Sequence, residues 1–236
     1  MITSCFSFQY PDEALECISV GLNWCGLLSG DDRCPAAISL AQAKKVFDAI
    51  GNKATKVAIL MFRDEQKVLE AAQMLRPDVL HLCDDTVFAT SEFCKKAKTL
   101  VPGMRVMQGI AVGGPETMES ALADAKSYEG TADFLMLDSF VPGTSEVGAT
   151  PNGVGAAGIT HDWNVSARIV REVNIPVILA GGLWGENVGK AIATVHPYGV
   201  DSLTRTEIVR EGVYIRKDTA LVKKFVENAH KAAGRG

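Results

Sequence analysis

This chain of 236 residues lacks the patterns that announce a metal, a redox pair or a nucleotide. Its six cysteines, Cys5, Cys17, Cys25, Cys34, Cys83 and Cys94, form no C-x-x-C pair and no zinc spacing. Its four histidines, His81, His161, His196 and His230, are scattered. No metal site and no cofactor are expected, and the thiols read as reduced groups of a cytosolic protein. Positive charge is not in excess: 24 Lys and Arg stand against 28 Asp and Glu, a net charge of −4 with a pI near 5.6. That balance argues against a nucleic-acid partner. No apolar run reaches the roughly 18 residues of a bilayer span. The segment Met1–Tyr10 has no basic region of the signal-peptide kind, so a cytoplasmic protein without a membrane partner is expected. No Pro/Ser-rich or low-complexity break divides the chain, which predicts one domain over 1–236.

What is present is alternation. The sequence is 47% hydrophobic, enough for a large core. Eight apolar runs, about Ile2–Phe6, Asn23–Leu28, Lys56–Met61, Val79–Leu82, Arg105–Gln108, Phe134–Leu137, Val177–Leu179 and Gly199–Leu203, read as strands buried on both faces. Eight helical patterns follow them, about Pro11–Val20, Ser39–Ile50, Asp64–Met74, Ser91–Leu100, Pro115–Tyr128, Trp163–Val173, Gly185–Val195 and Thr219–Ala232. Ser39 and Ser91 read as N-caps, and Pro11 and Pro115 as helix starts. Strict strand–helix alternation predicts a single (β/α)8 TIM barrel, with an open doubly wound sheet as the alternative. The longest connection, Ser139 to Asp162, is rich in Gly, Thr and Pro and reads as a lid or binding loop.

In a parallel barrel the carboxyl ends of the strands converge on one pocket. They carry Cys5 or Ser7, Ser29-Gly30, Met61-Phe62, Cys83-Asp84, Gln108, Asp138, Gly181-Gly182 and Thr204-Arg205. Asp138 ends an apolar run, where burial can hold a carboxyl protonated for use as a general acid; a structural, capping aspartate is the other reading. Cys5 is a thiol at the end of the first strand, either a proton acceptor or an ordinary buried cysteine. Gly181 and Gly182 precede a helix and suit a phosphate cradle or, more plainly, a tight turn. Arg205 is a phosphate or carboxylate clamp or a solvated surface arginine. No strand end presents a lysine, which disfavours Schiff-base aldolase chemistry.

Three stretches carry a family resemblance. Leu137-Asp138, Gly158-Ile-Thr160-His-Asp162-Trp163 and Gly181-Gly182-Leu183-Trp-Gly-Glu-Asn187-Val188 resemble the second half of the phosphoribosylanthranilate isomerases, and Arg216-Lys217-Asp218 resembles their Lys-Lys-Asp. The resemblance implies an Amadori rearrangement of a phosphorylated aminoaldose. An acid opens the furanose ring and a base takes a proton from the adjacent carbon. It implies Asp138 as the acid, and Cys5 as the base in place of the cysteine of Lys-Ile-Cys-Gly. Thr204 and Arg205 stand where the family has Ser-Ser-Gly at the phosphate, Cys83 where it has histidine and Gln108 where it has lysine. Arg33 stands for the arginine that meets the substrate carboxylate. The implied partner is a small phosphorylated, sugar-like substrate, and the implied state a monomer or homodimer. Two further expectations stay open: a barrel enzyme acting on another phosphosugar, as epimerase, aldolase or lyase, and a non-catalytic barrel that binds a phosphorylated ligand.

Overall fold

The computed structural model describes residues 1–30, 36–83, 90–140, 158–211 and 213–234. Its strands are β1 (Ile2–Cys5), β2 (Trp24–Gly30), β3 (Ala37–Ile38), β4 (Thr55–Met61), β5 (Val79–Leu82), β6 (Arg105–Val112), β7 (Phe134–Ser139), β8 (Val177–Leu179), β9 (Gly199–Ser202), β10 (Glu207–Arg210) and β11 (Val213–Lys217). Its helices are α1 (Pro11–Ser19), α2 (Leu40–Ile50), α3 (Glu65–Leu75), α4 (Ser91–Leu100), α5 (Met118–Ser127), α6 (Trp163–Glu172), α7 (Val188–Val195) and α8 (Thr219–Ala232). The parallel order β9-β8-β7-β6-β5-β4-β2 is closed by β1, which pairs Ser4 with Trp24 on one side and Ile2 with Gly199 on the other. The closed eight-stranded barrel excludes the open sheet, which would leave unpaired edges.

Because successive side chains alternate across a strand, each strand divides its residues between two cores. Phe6, Trp24, Leu28, Val57, Val79, Met107, Phe134, Met136, Ile178 and Ala180 form the core inside the barrel. Cys5, Leu27, Ala58, Leu80, Val106, Leu135, Leu179 and Val200 face outward, into the layer shared with the amphipathic faces of the helices. The continuous apolar runs of the sequence are the sum of these two half-sets.

Helix starts follow side-chain capping. Ser39 accepts the N–H of Gln42, and Asp162 and Asp218 cap α6 and α8 in the same way. The cap of α4 is Thr90, which accepts the N–H of Phe93, while Ser91 is the first helical residue. The seventh helix starts at Val188 rather than Gly185, after a turn in which Asn187 bonds Trp184 N–H (2.8 Å) and the Gly182 carbonyl (2.9 Å).

The antiparallel hairpin β10–β11 is absent from the sequence reading, for a physical reason. Its apolar residues Val209, Val213 and Ile215 face solvent, while Tyr214, Arg216 and Lys217 of β11 face the protein. Tyr214 donates to Glu13 of α1 (2.8 Å), and Arg216 pairs with Glu16 (2.8 Å). Glu13 is fully buried and also accepts the backbone N–H groups of Tyr10 (2.9 Å) and Lys217 (2.9 Å). An inverted polarity pattern of this kind carries no strand signal.

Candidate active site

Strand register builds the mouth of the barrel. Asp138 follows the pair Leu137–Leu179, and Asp201 follows the pair Leu179–Val200. Outward Leu137 and Val200 therefore place Asp138 and Asp201 inward at one level, on either side of Ala180. Ser4 pairs with Asp201 and Ala111 with Asp138, so small side chains flank both carboxylates. Two strands apart, the backbones of the two aspartates stand roughly 10 Å from each other, and both side chains point into the barrel, close enough for their charges to interact.

Burial sets the charge of this pair. It pushes Asp138 up to about 6, against the opposing N–H of Ser139, which donates to Oδ1 at 2.7 Å. Burial pushes Asp201 up to about 7, with the neighbouring charge of Asp138 adding to it and Ser4 and Lys217 opposing. With pKa values near 6 and 7, the two interacting carboxyls share a single proton between about pH 6 and pH 7, held mostly by Asp201. His81, inward on β5, meets Phe6 edge to ring at 5.5 Å, and burial drives its pKa down to about 3, so the imidazole is neutral. Its Nδ1 is buried without a hydrogen-bond partner. The chain leaves β1 through Ser7 in the left-handed region (φ +73°), which is uncommon away from glycine.

Beside the carboxylates lies a glycine turn. Gly181 and Gly182 have φ of +85° and +60°, and a Cβ on Gly182 would meet the backbone of Ile159 at 2.6 Å. The segment from Gly158 to Asp162 packs against this turn. Ser139 Oγ donates to the Ile159 carbonyl (2.8 Å) and lies 3.1 Å from His161 Nδ1, whose Nε2 is 2.6 Å from Ser166 Oγ. Ser139 has spent its only proton on Ile159, so His161 donates from Nδ1 and accepts from Ser166. The Ser–His contact is thus an anchor for the long connection rather than an activated nucleophile. Arg205 Nε and Nη2 donate to the Gly158 carbonyl (3.1 and 3.0 Å), and the guanidinium lies 5.8 Å over Trp184. Thr204 opens a short 3-10 turn at the carboxyl end of β9, its hydroxyl toward Gly158.

Comparison with known proteins adds the lineage. The family profile of N-(5'phosphoribosyl)anthranilate (PRA) isomerase matches residues 31–228. A Methanocella arvoryzae protein named N-(5'-phosphoribosyl)anthranilate isomerase is 34% identical over 217 residues, 92% of each chain. The chain belongs to the phosphoribosylanthranilate isomerase family. The fold agrees: the crystal structure of phosphoribosyl anthranilate isomerase from Thermotoga maritima superposes with a TM-score of 0.76 at 22% identity, covering 98% of this chain and 100% of that one. A second structure, in complex with reduced 1-(o-carboxyphenylamino)-1-deoxyribulose 5-phosphate, gives 0.74 at 21% identity and covers 98% and 100%.

Within this isomerase barrel, the residues singled out from sequence separate into two groups. Asp138, Gly181, Gly182, Thr204 and Arg205 are gathered at the mouth. Cys83 is half-buried and shares the inward parity of His81. Arg33 lies outside the described residues. Cys5 and Gln108 do not join the group. Gln108 is buried with outward parity, its amide donating to the carbonyl of Gly109 (3.0 Å). Cys5 is fully buried in the strand–helix layer, 4.0 Å from Thr206 Oγ1. Burial pushes its thiol far above the ordinary range, and the nearby Lys217 charge offsets only part of that. The inward positions of the first strand are Ile2, Ser4 and Phe6, one residue out of step with Cys5, and none of them titrates as a base near neutral pH. Cys5→Ser is therefore expected to leave turnover far above the ~10²-fold loss of a removed general base. A Cys5→Ser protein that folds normally yet loses activity on that scale rejects the outward placement.

Asp201, His81 and Phe6 were not singled out from the sequence. Asp201 sits inside a short run, Gly199-Val-Asp-Ser, and the signal that could have found it is parity: outward Val200 forces its neighbour inward.

Proposed function

We propose that this chain isomerises phosphoribosylanthranilate, an aldose–ketose conversion that needs one proton donor and one proton acceptor. The observation that carries the reading is the inward carboxyl of Asp138 at the mouth of a barrel of this family. Asp138, held protonated for part of the time by burial, supplies the proton that opens the furanose ring. The glycine turn at Gly181-Gly182 and the Thr204-Arg205 turn on the neighbouring strand bind the phosphate. Arg205 spends two of its five N–H groups on Gly158, which leaves donors for an anion. The enzyme acts in the cytoplasm, as a monomer or homodimer, and no helix among the described residues is long and apolar enough to cross a membrane.

Loss of phosphoribosylanthranilate fluorescence on incubation with the purified chain tests the reading, and unchanged fluorescence rejects it. For the anion site, a charge-assisted arginine bond contributes ~1.5–3 kcal/mol. Arg205→Ala is expected to weaken a phosphorylated ligand by about one to two orders of magnitude while sparing its unphosphorylated counterpart. Equal losses for both ligands, measured by calorimetry, would take Arg205 out of the anion site and leave it as an anchor for Gly158.

A further inference from the structure

The acceptor of the reaction is the open question at this site. An Amadori rearrangement breaks a C–H bond at C2 of the sugar, so a base must stand beside that carbon. β1 supplies none: Ser4 is a neutral hydroxyl, Phe6 is apolar, and Cys5 points into the helical layer. His81 faces inward, but burial drives its pKa down to about 3, too low for a proton acceptor near neutral pH, and its register through Met107 sets it level with Phe134, below Asp138. Among the described inward positions at the level of Asp138, one other group can accept a proton.

We infer that Asp201 is the second proton-transfer residue of the isomerisation, its carboxylate taking the C2 proton of the substrate while Asp138 serves the ring oxygen. The inference rests on the proposed isomerase reading. Three placements carry it. Asp201 is 5% exposed, inside the barrel, and one of its oxygens is buried without a partner. It lies level with Asp138, one strand either side of the small Ala180, so a substrate seated against Ala180 meets both carboxyls. Its lateral neighbour is Ser4, the inward residue of the strand that offers no base. The groups that bear on its charge are Asp138 from β7, Ser4 from β1 and Lys217 from β11. Burial and the Asp138 charge raise its pKa to about 7, above that of Asp138, so the reacting form, with Asp138 protonated and Asp201 ionised, is the minor form of the singly protonated pair and is reached by transfer of the shared proton.

The step balances without a co-reactant. Asp138 protonates the ring oxygen as the C1–O bond breaks, leaving a C1=N iminium. Asp201 then removes the proton at C2. The C–H electron pair becomes the C1=C2 bond, and the iminium electrons return to nitrogen. The resulting enol takes the proton held by Asp201 at C1 and passes its hydroxyl proton through water to Asp138, giving the ketone at C2 and restoring both carboxyls. C2 is oxidised and C1 reduced within one molecule.

The test uses the intact chain, phosphoribosylanthranilate with protium or deuterium at C2, and the reduced 1-(o-carboxyphenylamino)-1-deoxyribulose 5-phosphate analogue. Asp201→Asn is expected to lower turnover by about 10²–10⁴-fold. The analogue should bind as before, and the residual rate should carry a larger deuterium effect than the wild type, because C–H cleavage becomes limiting. Asp201→Glu, which restores a carboxylate at a shifted position, should recover part of the loss. Thermal unfolding of Asp201→Asn provides the folding check, and the Asp201→Glu comparison stands if the Asn variant misfolds. Wild-type turnover retained by a folded Asp201→Asn overturns the inference alone. So does a loss of analogue binding that matches the loss of turnover, the mark of a residue that only holds the ligand. Failure of the wild-type chain to convert the substrate instead removes the isomerase reading on which the inference depends.

Discussion

Asp138→Asn is expected to lower turnover of phosphoribosylanthranilate by about 10²–10⁴-fold, the range for a removed general acid, and at the same time to stabilise the protein above pH 7. Both effects come from one cause. The carboxyl is desolvated at the barrel mouth, so the fold raises its pKa from 3.8 to about 6. A carboxyl whose pKa is higher in the folded state binds an extra proton there between those values. Its stabilising contribution is present at low pH and is lost as the pH rises through about 6. Above that pH the wild type ionises a buried group at a cost of up to ~3 kcal/mol, reduced toward ~1 kcal/mol by the partial exposure of Asp138. Asparagine carries no such cost. The variant should therefore unfold at higher urea concentration than the wild type at pH 8, and the gap should close near pH 4. His81 and His161, held neutral by burial, lose stability in both proteins alike as the pH falls and drop out of the difference. Equal midpoints at pH 8, or a gap that widens toward pH 4, would show that Asp138 is not strained by its charge. Unchanged turnover would end its assignment as the acid.

The second large effect concerns stability alone. Lys217, at the end of the hairpin, has a side chain with 0% exposure. Its Nζ is 3.2 Å from Glu207, itself 9% exposed, and donates to the Leu203 carbonyl at 2.8 Å. Glu207→Ala leaves that cation buried with neutral partners. Removing one member of a buried pair costs about 3–5 kcal/mol, which for a chain of this size lowers Tm by roughly 10 °C. The exposed pair Lys223–Glu227, with 57% and 62% exposure, provides the internal standard. Glu227→Ala should cost no more than ~1 kcal/mol. Scanning calorimetry compares the two directly, and similar Tm losses for both would mean that Lys217 reaches water. The pair matters for the site because Lys217 ties the hairpin to the turn at Leu203 and Thr206, next to the proposed phosphate donors Thr204 and Arg205.

The barrel was legible because its signals are local. A strand buried on both faces must be apolar throughout, so each apolar run with a following 3.6-residue pattern marks one β/α unit, and eight such units close into one barrel. Asp138 stood out for the same reason, as a carboxylate at the end of such a run. The glycine turn at Gly181-Gly182 is local too, since positive φ is a property of the residue. What the chain order could not settle is which way a residue at a strand end faces. A shift of one position exchanges the barrel interior for the helical layer. Cys5 and Gln108 fall on the outward side of that division, whereas Asp201, His81 and Phe6 fall inside. The apolar runs, insensitive to parity, say nothing of it. Contacts between distant segments were equally beyond local pattern: Arg205 reaches Gly158 across 47 positions and Tyr214 reaches Glu13 across 201. The sequence by itself determined the barrel, its family and one carboxyl at the mouth, because those follow from periodicity and short-range chemistry. Only the tertiary structure decided which second carboxylate joins it there and which thiol is shut away, because the facing of each side chain is set by the register of the closed sheet.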